Sequence, residues 1–339
     1  MFKRVLIAAA IAGAFAAPAM AEVSITGSME MNFVVYDWDK GDTQQGLDRG
    51  LQIDFNGSDK LDMGGKLIWK VSQKLNTGDP SGRNNIENDY SELVNQNTWG
   101  GREAWVGFAG DWGSLKVGRQ FFNSYLVLDW PYGQGGNWQL VERNWGPAGH
   151  EGKLTSLIFA PSSVNYQSPN FGGFSFGIQH SWDNWATTGV GKIGDSNVTD
   201  LSVAFGAGSF NLNAGYLFGN DIWAAGSEAE QWYIGATYGF DFGLNVRGLY
   251  NYQAIEYPGS SKVDSYDWII GATYGWGKNY VKGSWHQFDG DNFGKAGDII
   301  SAEYGYSLSK NTVAYGRIQN RNEKAGDLTY YMVGVWTGF

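Results

Sequence analysis

Lys66, Lys70 and Lys74 stand four residues apart in KLIWKVSQK, interleaved with Leu67, Trp69 and Val71. At the two-residue period of a strand, that spacing puts the ammonium groups on one face and the apolar side chains on the other. Lys116, between Leu115 and Val117, repeats the arrangement. A wall of cations acquires a use when carboxylates stand across a water-filled gap from it. The field between the two rows orients dipolar solutes and penalises apolar ones. Asp129, Glu142 and Glu151 follow in a long polar stretch and are candidates for the second row, if that stretch folds back over the lysines. The plain alternative is that these carboxylates are simply solvated and the lysines snorkel to a rim. Trp130, Tyr132, Trp138 and Trp145 crowd the same stretch. They could stack on sugar rings, but large aromatics more often pack such a segment against its support.

Other chemistry is thin. His150, His180 and His286 are far apart in the chain, and His180-Ser181 with Asp183 suggests a hydrolytic triad only if geometry aligns them. The chain is therefore read as no enzyme. DWDKGD (37–42) and DGDN (289–292) lack the spacing to a distal bidentate Glu that a calcium loop requires. Solvated loops are the simpler reading of both. No nucleotide motif stands where it would open a helix, and no cofactor is implied.

The elements that must position these groups alternate throughout. SFNLNAGYLF sets Phe210, Leu212, Tyr216 and Phe218 against Ser209, Asn211 and Asn213. GLNVRGLYNYQ sets Leu244, Val246, Tyr250 and Tyr252 against Asn245, Arg247, Asn251 and Gln253. Each reads as a strand with one apolar and one wet face. Sixteen strands are predicted, near 23–37, 47–57, 63–75, 98–109, 113–120, 154–170, 173–182, 198–206, 209–218, 231–240, 243–253, 265–275, 279–288, 298–307, 311–321 and 328–339. Short Gly-, Asp- or Asn-bearing turns alternate with long polar loops, the connection pattern of an outer-membrane barrel. The last strand carries Tyr331, Val333, Val335 and Phe339 on one face, and the first carries Val23, Ile25, Met29, Met31 and Phe33. Pairing the two would close the sheet and remove edges that hydrocarbon cannot solvate. The predicted fold is all-β, a transmembrane antiparallel β-barrel of sixteen strands. By the same parity Arg247, Lys282, Glu303 and Arg317 point inward, away from the narrowest section.

Composition agrees. MFKRVLIAAAIAGAFAAPAMA has a basic start, a short apolar stretch and an Ala-Met-Ala ending, the layout of a signal peptide over residues 1–21, cleaved to leave a barrel of 22–339. Losing Lys3 and Arg4 takes the net charge from −10 to −12. That balance excludes nucleic acid as a partner, since no basic stripe exists to displace counterions. It also predicts a mild preference for cations. There is no cysteine, so no disulfide framework supports the fold. Aromatics at 16% and 50 glycines suit strands joined by tight turns, in a barrel or in a secreted β-sandwich adhesin.

Several segments resemble the general, non-specific porins of Gram-negative outer membranes: EVSITGSMEMNFVVYD after the signal peptide, REAWVGFAGDWGSLKVGRQ (102–120), SVNYQSPNFGGFSFGIQH (163–180), YSLSKNTVAYGRIQNRN (306–322) and the terminal Phe339. The resemblance implies a homotrimer of water-filled barrels in the outer membrane, passing small hydrophilic solutes and ions, with the third long loop folded into the lumen. It implies contacts with the lipid bilayer and lipopolysaccharide. Arg102 matches the family's lumen arginine, which would join Lys66, Lys70, Lys74 and Lys116 in a wall facing Asp129, Glu142 and Glu151. Arg119 matches an arginine at the subunit contact, where Glu87, Asp89 and Glu92 of a neighbour's second loop would meet it. Two departures bear on selectivity. Gln52, with Asp54 nearby, stands where the family commonly has Arg, and the Pro-Glu-Phe-Gly-Gly signature of the third loop is missing. A substrate-selective channel, for sugars or organic ions through the aromatic third loop, is the alternative.

Overall fold

The computed structural model describes residues 22–77, 99–128, 132, 159–182, 196–222, 225–290, 297–323 and 326–339. Sixteen strands run through them: β1 (Glu22–Trp38), β2 (Gln44–Lys60), β3 (Lys66–Thr77), β4 (Glu103–Gly110), β5 (Gly113–Phe121), β6 (Phe159–Gln167), β7 (Phe174–Trp182), β8 (Asn197–Ala207), β9 (Phe210–Asn220), β10 (Glu228–Gly239), β11 (Leu244–Glu256), β12 (Val263–Trp276), β13 (Asn279–Gly290), β14 (Gly297–Ser307), β15 (Thr312–Glu323) and β16 (Leu328–Gly338). Each pairs antiparallel with its sequence neighbours, and β1 pairs with β16, so the sheet closes into a ring. The β-sandwich reading falls with that closure.

The seam is complete. Register runs from Ser28 opposite Gly338 to Trp38 opposite Leu328. Beyond it, Gly27 and Phe339 exchange backbone hydrogen bonds of 2.9 and 3.0 Å. A closed ring leaves no ladder group of the seam facing hydrocarbon, where each would cost several kcal/mol. Behind the seam Val34, Tyr36, Tyr315, Leu328, Tyr330 and Met332 form a buried cluster on the inner face.

Alternation sorts the faces. Along β10, Trp232, Ile234 and Tyr238 are exposed on the outside while Gln231, Tyr233 and Thr237 are buried within. Hydrophobics exposed in this way recur on β1, β8, β12, β14 and β16, making the apolar outer band of a barrel that sits in lipid. Among the described residues no helix is long and apolar enough to cross a membrane. Tight turns close one end. At Asn170–Gly173 the chain needs Gly173, whose φ of 104° only glycine holds without strain and whose missing Cβ leaves room for the Gly206 carbonyl.

The connection after β5 begins on the inside, over residues 122–128. A short helix, α1 (Asn123–Val127), lies on the inner face against β8 and β9. Phe122 beside it joins Ala160, Val198, Leu217, Ile222, Ala229 and Ile255 in one buried cluster. Leu128 and Tyr132 pack on Tyr233, Leu249 and Ile269 in another.

Candidate channel lining

The start of the third connection, residues 122–128, is held to the inner wall by polar side chains of that wall. No side chain of its own caps α1, and its free N–H groups are met from outside the helix. Asp200 on β8 accepts from the Ser124 amide at 2.7 Å and from its hydroxyl at 2.6 Å. Gln179 on β7 accepts from the Asn123 amide at 3.1 Å. Asn123 also exchanges amide bonds with Asn165 on β6. Further on, Tyr132 donates to Asn213 at 3.3 Å and lies over Gly235, where any Cβ would strike its ring. Burial pushes the Tyr132 phenol well above its ordinary range, against the pull of nearby Arg247, so it stays a neutral donor. Tyr132 thus packs the connection against the wall. Trp130, Trp138 and Trp145 lie outside the described residues.

On β2–β5 the wall holds a charge cluster. Lys70 donates to Glu103 at 2.5 Å and approaches Asp54 at 3.8 Å. The Trp105 indole N–H donates to the other Glu103 oxygen at 3.1 Å, and Lys116 Nζ lies 4.7 Å from the centre of the Trp105 ring. Lys66, Lys70 and Lys74 share one parity on β3, paired with Lys60, Asn56 and Gln52. The first inward position of β4 belongs to Glu103, not to the arginine before it. Arg102 precedes the strand, its amide bonded to the Ser72 carbonyl at 3.2 Å and its guanidinium 4.8 Å over the Phe121 ring. Alternation could have found this, since Val106 and Phe108 face outward and Glu103, Trp105 and Gly107 must then face in. The proposed opposing row, Asp129, Glu142 and Glu151, lies outside the described residues.

A second cluster sits on β13–β15. Glu303 accepts from Arg317 Nε at 2.7 Å and Nη2 at 2.5 Å, from Tyr280 at 2.8 Å, and faces Lys282 at 3.3 Å. Beside it Tyr315 donates to Glu30 and, at 2.6 Å, to Asn32 across the β1–β16 seam. Arg247 on β11 bonds the Thr273 hydroxyl at 2.6 Å and stands near Tyr132, so it belongs to the section that α1 enters.

Burial separates the two signs. Glu30, Asp48, Glu103, Asp200, Asp267 and Glu303 are all buried, with Asp54 half-buried. Lys66 is exposed, and Lys70, Lys74, Lys116, Arg247 and Lys282 are half-buried. The inner wall therefore keeps most of its carboxylates from water and, Arg317 apart, leaves its cations more open to it.

Arg119 shares the outward parity of its partner Ala104. Its Nε donates to the Gly101 carbonyl at 2.5 Å and its guanidinium lies 4.5 Å over the Phe159 ring. Glu87, Asp89 and Glu92 lie outside the described residues. His180 faces outward and bonds Thr199 at 2.9 Å while Ser181 is buried on the inner face, so the two cannot share a triad. Asp183 lies outside the described residues, and among those described no group of three metal-ligating side chains occurs.

A sequence profile described as Gram-negative porin matches residues 8–326. Chitoporin of Vibrio furnissii is 26% identical over 234 residues, 64% of this chain and 56% of that protein. Major outer membrane protein P.IA of Neisseria meningitidis serogroup C is 30% identical over 135 residues, 39% of this chain. The chain thus matches about half of the first relative and 29% of the second. Outer membrane porin protein 32 of Delftia acidovorans is 25% identical over 364 residues, 100% of this chain and 95% of that one. An anion-selective porin from Comamonas acidovorans superposes with a TM-score of 0.74 at 19% identity, over 94% of this chain and 100% of that one. The trimer form of OmpT from Vibrio cholerae gives 0.62 at 13% identity, over 94% and 99%. At those identities the superpositions establish the barrel and nothing finer.

Proposed function

We propose that this chain, which belongs to the Gram-negative porin family, forms a water-filled channel in the outer membrane through which small hydrophilic solutes and ions diffuse. The observation that carries the reading is the closed ring itself, apolar outside and lined within by charged and amide side chains. Residues 1–21 serve as the export signal and are removed, leaving 22–339 as the barrel. Lys66, Lys70, Lys74 and Lys116 line the passage, and Asp129, Glu142 and Glu151 of the third connection face them. Arg102 stands at the edge of that wall.

The channel prefers anions. Net charge points toward cations, but a solute meets the accessible groups first, and those of the described inner wall are mostly cationic. A planar bilayer under a salt gradient tests both statements. A steady conductance with an anion-side reversal potential is expected; a cation-side reversal refutes the preference, and no conductance refutes the channel.

The barrel works as a homotrimer in contact with lipopolysaccharide, and Arg119 lies at the subunit contact with Glu87 and Glu92 of a neighbour. Its intrachain bond and ring contact explain how a guanidinium is tolerated on that outer face until a partner covers it. Arg119→Ala is expected to lower the temperature at which trimers dissociate on unheated gels; unchanged trimers would remove Arg119 from the contact. A sugar-selective channel is the second reading. It is suggested by the relative named chitoporin and favoured by a recess in the inner wall.

A further inference from the structure

Beneath α1 the inner wall is hollowed. Along β7 and β8 the inward positions carry Ser175, Gly177, Ser202 and Ala204, too small to fill the space under the helix. A cavity of about 280 Å³ results, open to the lumen. Its size admits one sugar ring and excludes a folded oligomer.

The lining has a distinctive mixture. Trp105 forms one end, and Leu126 of α1 adds an apolar side chain that is 45% exposed inside a polar passage. Between them stand the neutral amides of Gln167 and Asn213 and the hydroxyls of Ser175 and Ser202. Gln167 is held in place by donating to Asn123 at 2.8 Å and to Asn165 at 3.1 Å, so its amide is positioned before any solute arrives. The charged groups at the cavity, Lys116 and Glu103, are of opposite sign. Glu103 already accepts from Lys70 and Trp105, and Lys116 rests near the Trp105 ring.

Each class of solute meets this lining differently. A cation finds its carboxylate already bonded, and a purely apolar molecule strands the amides and hydroxyls without partners. A pyranose presents C–H groups on one face and hydroxyls around its rim, which suits an indole beside fixed amides. We propose that this recess is a binding subsite for an uncharged sugar ring, with Trp105 as the stacking platform and Gln167 and Asn213 as hydroxyl partners. The subsite rests on the channel reading, since sugar reaches it only through an open lumen. It slows neutral saccharides in passage and does not close the channel to ions.

Ion current through single channels in a planar bilayer is the test, with maltotriose as the probe and a polyethylene glycol of matched mass as the control. Maltotriose is expected to reduce the current saturably and the polymer only in proportion to solution viscosity. Trp105→Ala should weaken the maltotriose block by at least about threefold, normalised to that variant's own conductance, the range expected for one aromatic contact. Ser202→Leu fills the recess from the β8 side, away from the charged wall, and should abolish the block while potassium chloride conductance persists. Equal saturable block by the polymer, or an unchanged maltotriose block in either conducting variant, overturns the subsite. Conductance with no block in the unmodified protein overturns the subsite alone, whereas no conductance at all overturns the channel with it.

Discussion

On β2–β5 Glu103 answers Lys70 and Lys116, with Asp54 also 3.8 Å from Lys70; on β13–β15 Glu303 answers Lys282 and Arg317. Both clusters face inward from the same barrel. Their exposure differs. Arg317 and Glu303 side chains are 7% and 2% exposed, whereas Lys70 and Glu103 are 21% and 11% exposed. In the drier cluster the guanidinium meets the carboxylate through two nitrogens, and Tyr280 occupies a further lone pair. The charges there are spent on each other, and the cluster acts as a strut beside the seam that Tyr315 and Glu30 tie. In the wetter cluster, part of each lysine's field reaches the lumen. Sign and parity alone do not tell a strut from a source of field; burial does.

The largest test of that distinction is Arg317→Met. It keeps much of the apolar stem but leaves Glu303 almost fully buried with Lys282 as its remaining cation. Breaking one partner of a buried pair costs about 3 kcal/mol. Urea unfolding of the barrel in lipid vesicles should show that loss, while the reversal potential stays near that of the unmodified protein. A variant with unchanged stability and a large selectivity shift would invert the roles assigned to the two clusters.

Glu103→Gln is the reciprocal test, with a smaller effect. The amide keeps the shape of the side chain but frees Lys70 and Lys116 from its charge. One unit charge several ångströms from the ion path, screened by salt, changes the anion-to-cation permeability ratio roughly threefold. The expected direction is toward anions, read as a reversal potential, with little change in unfolding. A shift toward cations would mean that Glu103 props up the lysines rather than masking them.

The difference between the clusters is only half legible in the sequence. Period-two alternation and Gly-bearing turns are local, so all sixteen strands can be read from them, and so can the inward parity of Lys66, Lys70, Lys74 and Lys116. Glu103 was within reach of the same rule, yet the resemblance drew attention to Arg102 beside it. Asp200 was out of reach. Its partner Ser124 is 76 residues away, and nothing near VTDLSV announces that a helix from another connection will rest there. Burial depends on what folds over a side chain. That is why parity finds the wall and cannot say which of its charges water touches.

The smallest expected effect lies on the outer face and sets the scale for the other two. Lys262 and Glu230 form an ion pair at the rim of β10 and β12, with side chains 46% and 29% exposed and Tyr216 donating to the same carboxylate. If short contacts alone decided strength, this pair would rival Arg317–Glu303. Water and salt screen it, and ordering two long side chains costs entropy, so Lys262→Ala should change unfolding by no more than about 0.5 kcal/mol. The hydrogen bond to Glu230 holds the Lys262 amine above its ordinary value, and the sign of the linkage follows. A raised lysine contributes stability below the unfolded value of about 10.5 and loses it as pH climbs past the folded one. The unmodified protein and Lys262→Ala should therefore differ by the same small amount from neutral pH upward and converge only in strong alkali. A loss as large as that of Arg317→Met at neutral pH would show that exposure does not grade these clusters, and the division between strut and field source would go with it.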